Sequence, residues 1–307
     1  MPIIIPERLP AYNELKKENV FVMSNARATS QDIRPLEVAI VNLMPTKEVT
    51  ETQLLRLLSN TPLQVNLSLL TMDSHESTHV DKNHLDTFYV TYEDIKSRRF
   101  DGMIITGAPV EFLPFEEVDY WDELCAIMEY SKANVFSTLH ICWGAQAALY
   151  YHYGIDKVVL PAKLSGVYEH RIQAKGNELI RGFDDVFYAP HSRNTDTPEA
   201  EIRKHPELKI LARGDVPGAM IIAREGNRQI FIQGHLEYDR YTLRAEYERD
   251  TKKGLDIAPP LNYFENDDPA GEVRMKWRAS ANLFYYNWLN FVYQETPYDL
   301  AELEPVR

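Results

Sequence analysis

The chain has 307 residues, 44% hydrophobic and 26% charged, which are the proportions of a folded globular protein with length for one large domain or two small ones. A balance of 33 basic against 46 acidic residues leaves a net charge of -13 and argues against an extended phosphate-backbone partner, because nucleic-acid binding rests on a concentrated positive face. The opening run Met1-Pro-Ile-Ile-Ile-Pro6 is too short for a secretory signal, no stretch approaches a membrane span, and two cysteines, Cys125 and Cys142, are too few for a disulfide framework, so a cytoplasmic protein is expected.

Residues 1–34 mix proline, asparagine and charged residues around a short helical pattern at 13–17 and read as an N-terminal arm laid over the body. From Leu36 onward, apolar β-branched runs at 38–43, 64–70, 102–105 and 134–139 have the length and composition of buried parallel strands. Between the first two, residues 48–58 set Leu54, Leu55, Leu57 and Leu58 on a broad apolar helical face; residues 120–128 do the same with Leu124, Ile127 and Met128. This alternation predicts an α/β fold, a doubly wound and mainly parallel sheet with its ligand site beyond the strand C-terminal ends. Farther along, strands at 218–223 and 228–233 flank Arg224-Glu225-Gly226-Asn227, a hairpin signal, and a helix is expected at 242–253. A long terminal helix at 272–293 carries Met275, Trp277, Leu283, Phe284, Trp288, Leu289 and Val292 as core residues. With no repeat or low-complexity linker to divide the chain, one catalytic domain over 35–297 is expected, with a helical extension and a tail at 298–307.

The run His140-Ile141-Cys142-Trp143-Gly144-Ala145-Gln146-Ala147 follows an apolar strand and opens an alanine-rich helix, the strand-turn-helix context of a nucleophile elbow. Such a turn holds a thiol above the sheet, small residues allow strand and helix to approach, and the helix N-terminus favours the thiolate. Most unpaired intracellular cysteines are simply small buried apolar residues. That description suits Cys125, set among Leu124, Ile127 and Met128 on a helix, whereas the turn singles out Cys142. A nucleophilic thiol needs a base, and the base an orienting acceptor. His235 and Glu237 stand two apart where the second hairpin strand emerges, so they face one side of an extended chain and complete a triad with Cys142. By itself, His-x-Glu is ordinary surface decoration. His75-Glu76-Ser77-Thr78-His79 matches a zinc-peptidase pattern, with His84 as a third ligand, but its polar flanks lack an apolar helical stripe and read as a loop without metal.

The Ile104-Ile105-Thr106-Gly107-Ala108-Pro109 turn, the cysteine elbow and Gly234-His235-Leu236-Glu237, in that order, resemble the class I glutamine amidotransferase-like superfamily. Cys142, Gly144 and Gln146 match its G-x-C-x-G-x-Q elbow, while His140 stands where the first glycine is expected and argues against glutamine hydrolysis. A fuller resemblance runs from Met1-Pro-Ile through Val41-Asn42-Leu43-Met44-Pro45-Thr46-Lys47, Gly107-Ala108-Pro109-Val110-Glu111 and the elbow to Pro190-His191-Ser192 and Gly234-His235-Leu236-Glu237-Tyr238. It is to the homoserine O-acyltransferases of methionine biosynthesis.

That resemblance implies transfer of an acyl group from acyl-CoA to the hydroxyl of L-homoserine, with Cys142 as thioester nucleophile, His235 as general base and Glu237 as orienting carboxylate. It implies no tightly bound cofactor, acetyl-CoA entering as co-substrate. The oxyanions of such a reaction need donors, for which the Trp143 backbone N–H and Lys47 are candidates. A zwitterionic substrate needs a cation and an acceptor, which Arg249 and Glu246 supply from one helix face; on spacing alone they are an ordinary surface pair. Lys163 and Ser192 enter as substrate contacts only through the resemblance. At Glu111 the family tunes its donor: glycine accompanies succinyl-CoA, glutamate acetyl-CoA. A carboxylate there fills space and opposes the succinyl charge. The expected activity is thus homoserine O-acetyltransferase, with succinyl-CoA as the alternative donor, a cysteine hydrolase or amidotransferase next and a zinc peptidase furthest. Homoserine and acyl-CoA are the expected partners, nucleic acid and membrane are not, and a homodimer is one option for assembly.

Overall fold

In the computed structural model, which describes residues 3–17, 22–23, 34–75 and 81–306, the apolar runs become the middle of one extended sheet. Its strands are β1 (Ile3–Ile4), β2 (Val22–Met23), β3 (Leu36–Val41), β4 (Val65–Leu70), β5 (Tyr89–Val90), β6 (Phe100–Ile105), β7 (Val135–Ile141), β8 (Val158–Ile172), β9 (Val186–Asp196), β10 (Leu208–Gly214), β11 (Gly218–Arg224) and β12 (Gln229–Ile232). They lie in the order β2-β1-β4-β3-β6-β7-β12-β11-β10-β8-β9, with β5 paired to β4. Pairing is parallel from β2 through to β12 and antiparallel from β12 to β9. The longer helices among the described residues are α1 (Lys47–Leu58), α2 (Trp121–Asn134), α3 (Trp143–Tyr153), α4 (Thr242–Lys252) and α5 (Arg278–Glu295).

Both sheet faces are apolar because both are covered. Along β3, Val38 and Ile40 enter one core cluster while Ala39 and Val41 enter the other, the two-residue period of a strand. On the first face sit Leu54, Leu55, Leu57 and Leu58 of α1 with Phe284, Trp288, Leu289 and Val292 of α5. Leu124, Ile127 and Met128 of α2 and Ala145, Ala148 and Leu149 of α3 cover the second. Fully burying each large apolar side chain contributes roughly 1.5–3 kcal/mol, so the doubly wound arrangement follows directly from the pattern. A third, smaller cluster of Val167, Tyr238, Leu243, Tyr263, Phe264, Val273 and Trp277 supports the segment after β12.

Several elements differ from the sequence-based expectations. Within residues 1–34, expected to lie over the body, β1 pairs with β4 and with β2, so this part extends the sheet edge. The terminal helix begins at Arg278, not at 272, because Val273 bridges Phe264 and the Arg274 N–H donates to Tyr263 O. Met275 and Trp277 therefore precede the helix, and the buried Trp277 indole donates to Tyr238 O at 2.8 Å. Sequence reading also passed over β8, β9 and β10. The tail is tied down through Arg99, which donates to the Leu300 and Ala301 carbonyls, both at 2.6 Å. No helix among the described residues is long and apolar enough to cross a membrane.

Candidate active site

Four parallel strands, β3, β6, β7 and β12, end side by side, and Lys47, Glu111, Cys142, His235 and Glu237 follow those ends. Cys142 links β7 to α3 with φ 51° and ψ -117°, a conformation costly for any residue with a Cβ, by about 1–3 kcal/mol. Backbone bonds hold it there: the Cys142 N–H donates to Ile232 O at 2.7 Å, and its carbonyl accepts from Ala145 at 3.0 Å and Gln146 at 3.1 Å. The close approach dictates glycine at 144 and leaves little room at 107. A Cβ on Gly144 would meet Thr106 O at 2.5 Å, and one on Gly107 would stand 3.3 Å from Cys142 Cβ and 3.8 Å from His235 Cε1. Trp143 is the first residue of α3, where helix geometry leaves the N–H without an intrahelical acceptor. Where the superfamily elbow has glycine, His140 is buried and stacks on Phe231, its Nδ1–H donating to Ile230 O at 3.0 Å; burial pushes its pKa down to about 4, keeping it neutral.

His235 and Glu237 are both buried, with Nδ1 and Oε1 2.6 Å apart. The His235 N–H donates to Pro190 O at 2.8 Å, and the Tyr238 ring stacks on the imidazole at 4.0 Å between centroids. Burial by itself disfavours the His235 cation, yet the charge and hydrogen bonding of Cys142 and Glu237 outweigh it and raise the imidazole pKa well above its ordinary value. Behind it, the donor-only guanidinium of Arg193 faces His191 Nδ1, and His191 Nε2 lies 2.9 Å from His170 Nε2. Burial first and Arg193 second hold His191 well below its usual range, so no second cation forms beside His235.

The expected substrate contacts divide into two groups. Lys163 of β8 and Arg249 of α4 meet through Asp250, whose carboxylate accepts from Lys163 Nζ at 2.8 Å and Arg249 Nε at 2.7 Å. Burial raises the Asp250 carboxyl, but hydrogen bonds from Arg249 and Lys163 prevail and hold it below the usual range. Glu246 accepts instead from the Tyr238 hydroxyl at 2.7 Å, connecting it to the ring stacked on His235. The expected side-by-side arrangement of Glu246 and Arg249 is thus modified, since Asp250, unnoticed in the sequence, takes the arginine. Ser192 lies on β9 opposite Ser165, two residues beyond the Pro190 carbonyl that fixes His235.

Glu111 does more than fill space. Its carboxylate accepts from Asn194 N at 2.5 Å, Asn194 Nδ2 at 3.0 Å and Thr195 N at 3.2 Å, where the β8–β9 register is irregular. Thr195 in turn bonds Gln146 of the elbow helix, its Oγ1 donating to Gln146 Oε1 at 2.8 Å. Lys47 is buried at the start of α1 and donates to Asn42 O; burial lowers its pKa to about 8, against the opposing charge of Glu51. In the zinc-like motif, His75 sits 2.6 Å from Asp119, and His84 is buried 2.9 Å from Glu51. Residues 76–80, which include His79, lie outside the described residues. Among the described residues no group of three His, Cys, Asp or Glu is placed to hold a metal ion.

Comparison with known proteins gives the fold and the family. A solved glutamine amidotransferase from Thermotoga maritima superposes with a TM-score of 0.52 at 12% identity, covering 85% of this chain and 99% of that one, a likeness of fold. A homoserine O-acetyltransferase of Clostridium novyi (strain NT) is 59% identical over 300 residues, 97% of this chain and 99% of the other. Another homoserine O-acetyltransferase, of Agathobacter rectalis, is 58% identical over 300 residues, 97% of each chain. The family model described as homoserine O-succinyltransferase matches residues 2–298. With that span and these relatives, the chain belongs to the homoserine O-succinyltransferase family, an enzyme family of homoserine acyltransferases.

Proposed function

We propose that this enzyme transfers acetyl from acetyl-CoA to the hydroxyl of L-homoserine through a thioester on Cys142. The observation that carries the reading is the strained elbow that holds Cys142 beside the His235–Glu237 pair. In the first half reaction the Cys142 thiolate attacks the acetyl carbonyl, the carbonyl oxygen becomes an oxyanion, and its collapse expels the coenzyme A thiolate, which takes a proton from the His235 imidazolium. In the second, His235 removes the homoserine hydroxyl proton as that oxygen attacks the thioester; collapse then restores the Cys142 thiolate, and His235 retains the proton. The oxyanion receives the Trp143 N–H, with the Lys47 ammonium at the start of α1 as the second donor.

Lys163 and Arg249, oriented by Asp250, receive the homoserine carboxylate; Glu246 takes its ammonium group, and Ser192 adds a hydroxyl contact. Acetyl is favoured over succinyl by Glu111 and by the likeness, at 58–59% identity, to two homoserine O-acetyltransferases. Acetyl-CoA acts as co-substrate, and no tightly bound cofactor takes part in the reading. Intact-mass analysis tests it: incubation with acetyl-CoA should add one acetyl group, and L-homoserine should remove it. An unmodified mass with both acetyl-CoA and succinyl-CoA would rule the mechanism out, and release of glutamate from glutamine would favour an amidotransferase.

A further inference from the structure

Three residues of β9 meet three consecutive residues of the segment that carries His235. The Pro190 carbonyl accepts from the His235 N–H at 2.8 Å. The His191 ring lies so close to Gly234 that a Cβ there would stand 2.9 Å from His191 Cε1 and 2.7 Å from Pro190 O. Arg193 Nη1 reaches the Gln233 carbonyl at 3.4 Å and also faces His191 Nδ1. Two apart on an extended strand, His191 and Arg193 share one face, while Ser192 between them points to the other. Arg193 joins these contacts to the rest of the sheet: its side chain is 1% exposed, and Nη2 donates to Asp196 Oδ1 and Pro217 O, both at 2.8 Å.

A guanidinium only donates, so His191 Nδ1 is the acceptor and the proton of the neutral ring sits on Nε2, which donates to His170 Nε2 at 2.9 Å. One tautomer of His191 is thereby selected, and with it the orientation of the ring against Gly234. Burying a cation is costly unless it is paired and hydrogen-bonded, and an apolar side chain would fill the same space without that cost. We propose that Arg193 is a positioning residue for His235: by orienting His191 against Gly234 and gripping the Gln233 carbonyl, it fixes the backbone from which the imidazole projects toward Cys142. This rests on the reading of Cys142, His235 and Glu237 as the triad. Arg193 touches neither the thiol nor the imidazole, and its effect on the reaction passes through the placement of His235.

The test is the rate constant for alkylation of Cys142 by iodoacetamide near neutral pH, in full-length protein carrying Cys125→Ala so that one thiol remains. Followed by intact mass, the amplitude counts native sites and the rate constant reads thiolate content, which falls about tenfold for each unit by which the thiol pKa rises. Arg193→Met, similar in length but without donors, should slow alkylation about 10-fold, and Arg193→Lys should restore part of the loss. In a His235→Asn background Arg193→Met should add nothing, because both changes act on one interaction. An arginine that only stabilises the fold would lower the amplitude or Tm and leave the rate constant unmoved; that result, or an equal slowing in the His235→Asn background, overturns the proposal. If Arg193→Met fails to fold, nitrogen-15 NMR of histidine-labelled parent protein answers without changing Arg193: His191 should carry its proton on Nε2, and a protonated Nδ1 overturns the proposal. A parent that His235→Asn does not slow removes the triad and this proposal with it, whereas slowing by His235→Asn but not by Arg193→Met removes the role of Arg193 alone.

Discussion

Replacing Glu111 by glycine removes every acceptor contact that this carboxylate offers β9. The N–H groups of Asn194 and Thr195 lose their partner where the ladder with β8 is irregular. Thr195 is fully buried, and an orphaned buried donor costs about 1–3 kcal/mol. Glu111 itself is half-buried, so water replaces part of the loss, and about 1–2 kcal/mol is expected, a fall in Tm of roughly 2–4 °C for each kcal/mol. The effect on donor choice follows from charge. A succinyl carboxylate about 6 Å from that of Glu111 is repelled by roughly 3 kcal/mol at an effective dielectric constant of about 20. The donors already on Glu111 disperse its charge, leaving about half of that, and the space freed by glycine adds to it, so the succinyl-to-acetyl ratio of kcat/KM should rise about 10- to 100-fold. Glu111→Gln removes the charge but keeps the bulk and one acceptor, so it should recover the charge part, about 10-fold, without the part due to space. The assay is kcat/KM for both donors with wild type and both variants, folding being checked by Tm. Equal use of the two donors by wild type, or an unmoved ratio in folded Glu111→Gly, would refute the reasoning and reduce Glu111 to a strand clamp.

Cys142→Ala should abolish both the mass adduct and turnover, whereas Cys125→Ala leaves both within about twofold; burial, with Asp122 and Glu116, pushes the Cys125 thiol up to about 11, leaving it protonated near neutral pH. In single-turnover acylation His235→Asn should lose more activity than Glu237→Gln, since one moves the proton and the other orients the mover; near-normal turnover of the histidine variant would remove it from the role. Because the His235 pKa is raised, its charged pairing stabilises the fold fully below the unfolded value of about 6.5 and is lost as pH rises through the folded value, so the Tm gap between wild type and His235→Asn should narrow at alkaline pH. Arg249→Ala should cut kcat/KM for homoserine by about 10- to 100-fold while leaving acylation by acetyl-CoA intact; Asp250→Asn should do the same more weakly, and loss of acylation in either folded variant would contradict this assignment.

The parallel half of the sheet was legible in the sequence because strands buried on both faces are written as continuous β-branched runs, and α1 and α2 because their apolar residues repeat at the helical period. Cys142, Gly144 and the pair His235 and Glu237 were legible for a similar reason: a tight turn and an i, i+2 relation are settled by neighbours in the chain. The antiparallel half was harder, since the apolar run that opens β8, Val158-Val159-Leu160-Pro161-Ala162, is largely exposed and contains a proline, and farther along only Glu169 and Arg171 alternate with the buried Tyr168 and His170. The start of α5 was misplaced because the Phe264 and Val273 bridge overrides the helical pattern of the residues before Arg278. Asp250 joining Lys163 to Arg249, Glu111 reaching Asn194 and Thr195, and the chain from Arg193 through His191 to His170 were decided by the tertiary structure alone. Local spacing determines which side of a strand or helix a residue faces. Which distant residue it meets there depends on how the sheet and helices pack, and that is fixed by burial summed over the whole core rather than by any short run of sequence.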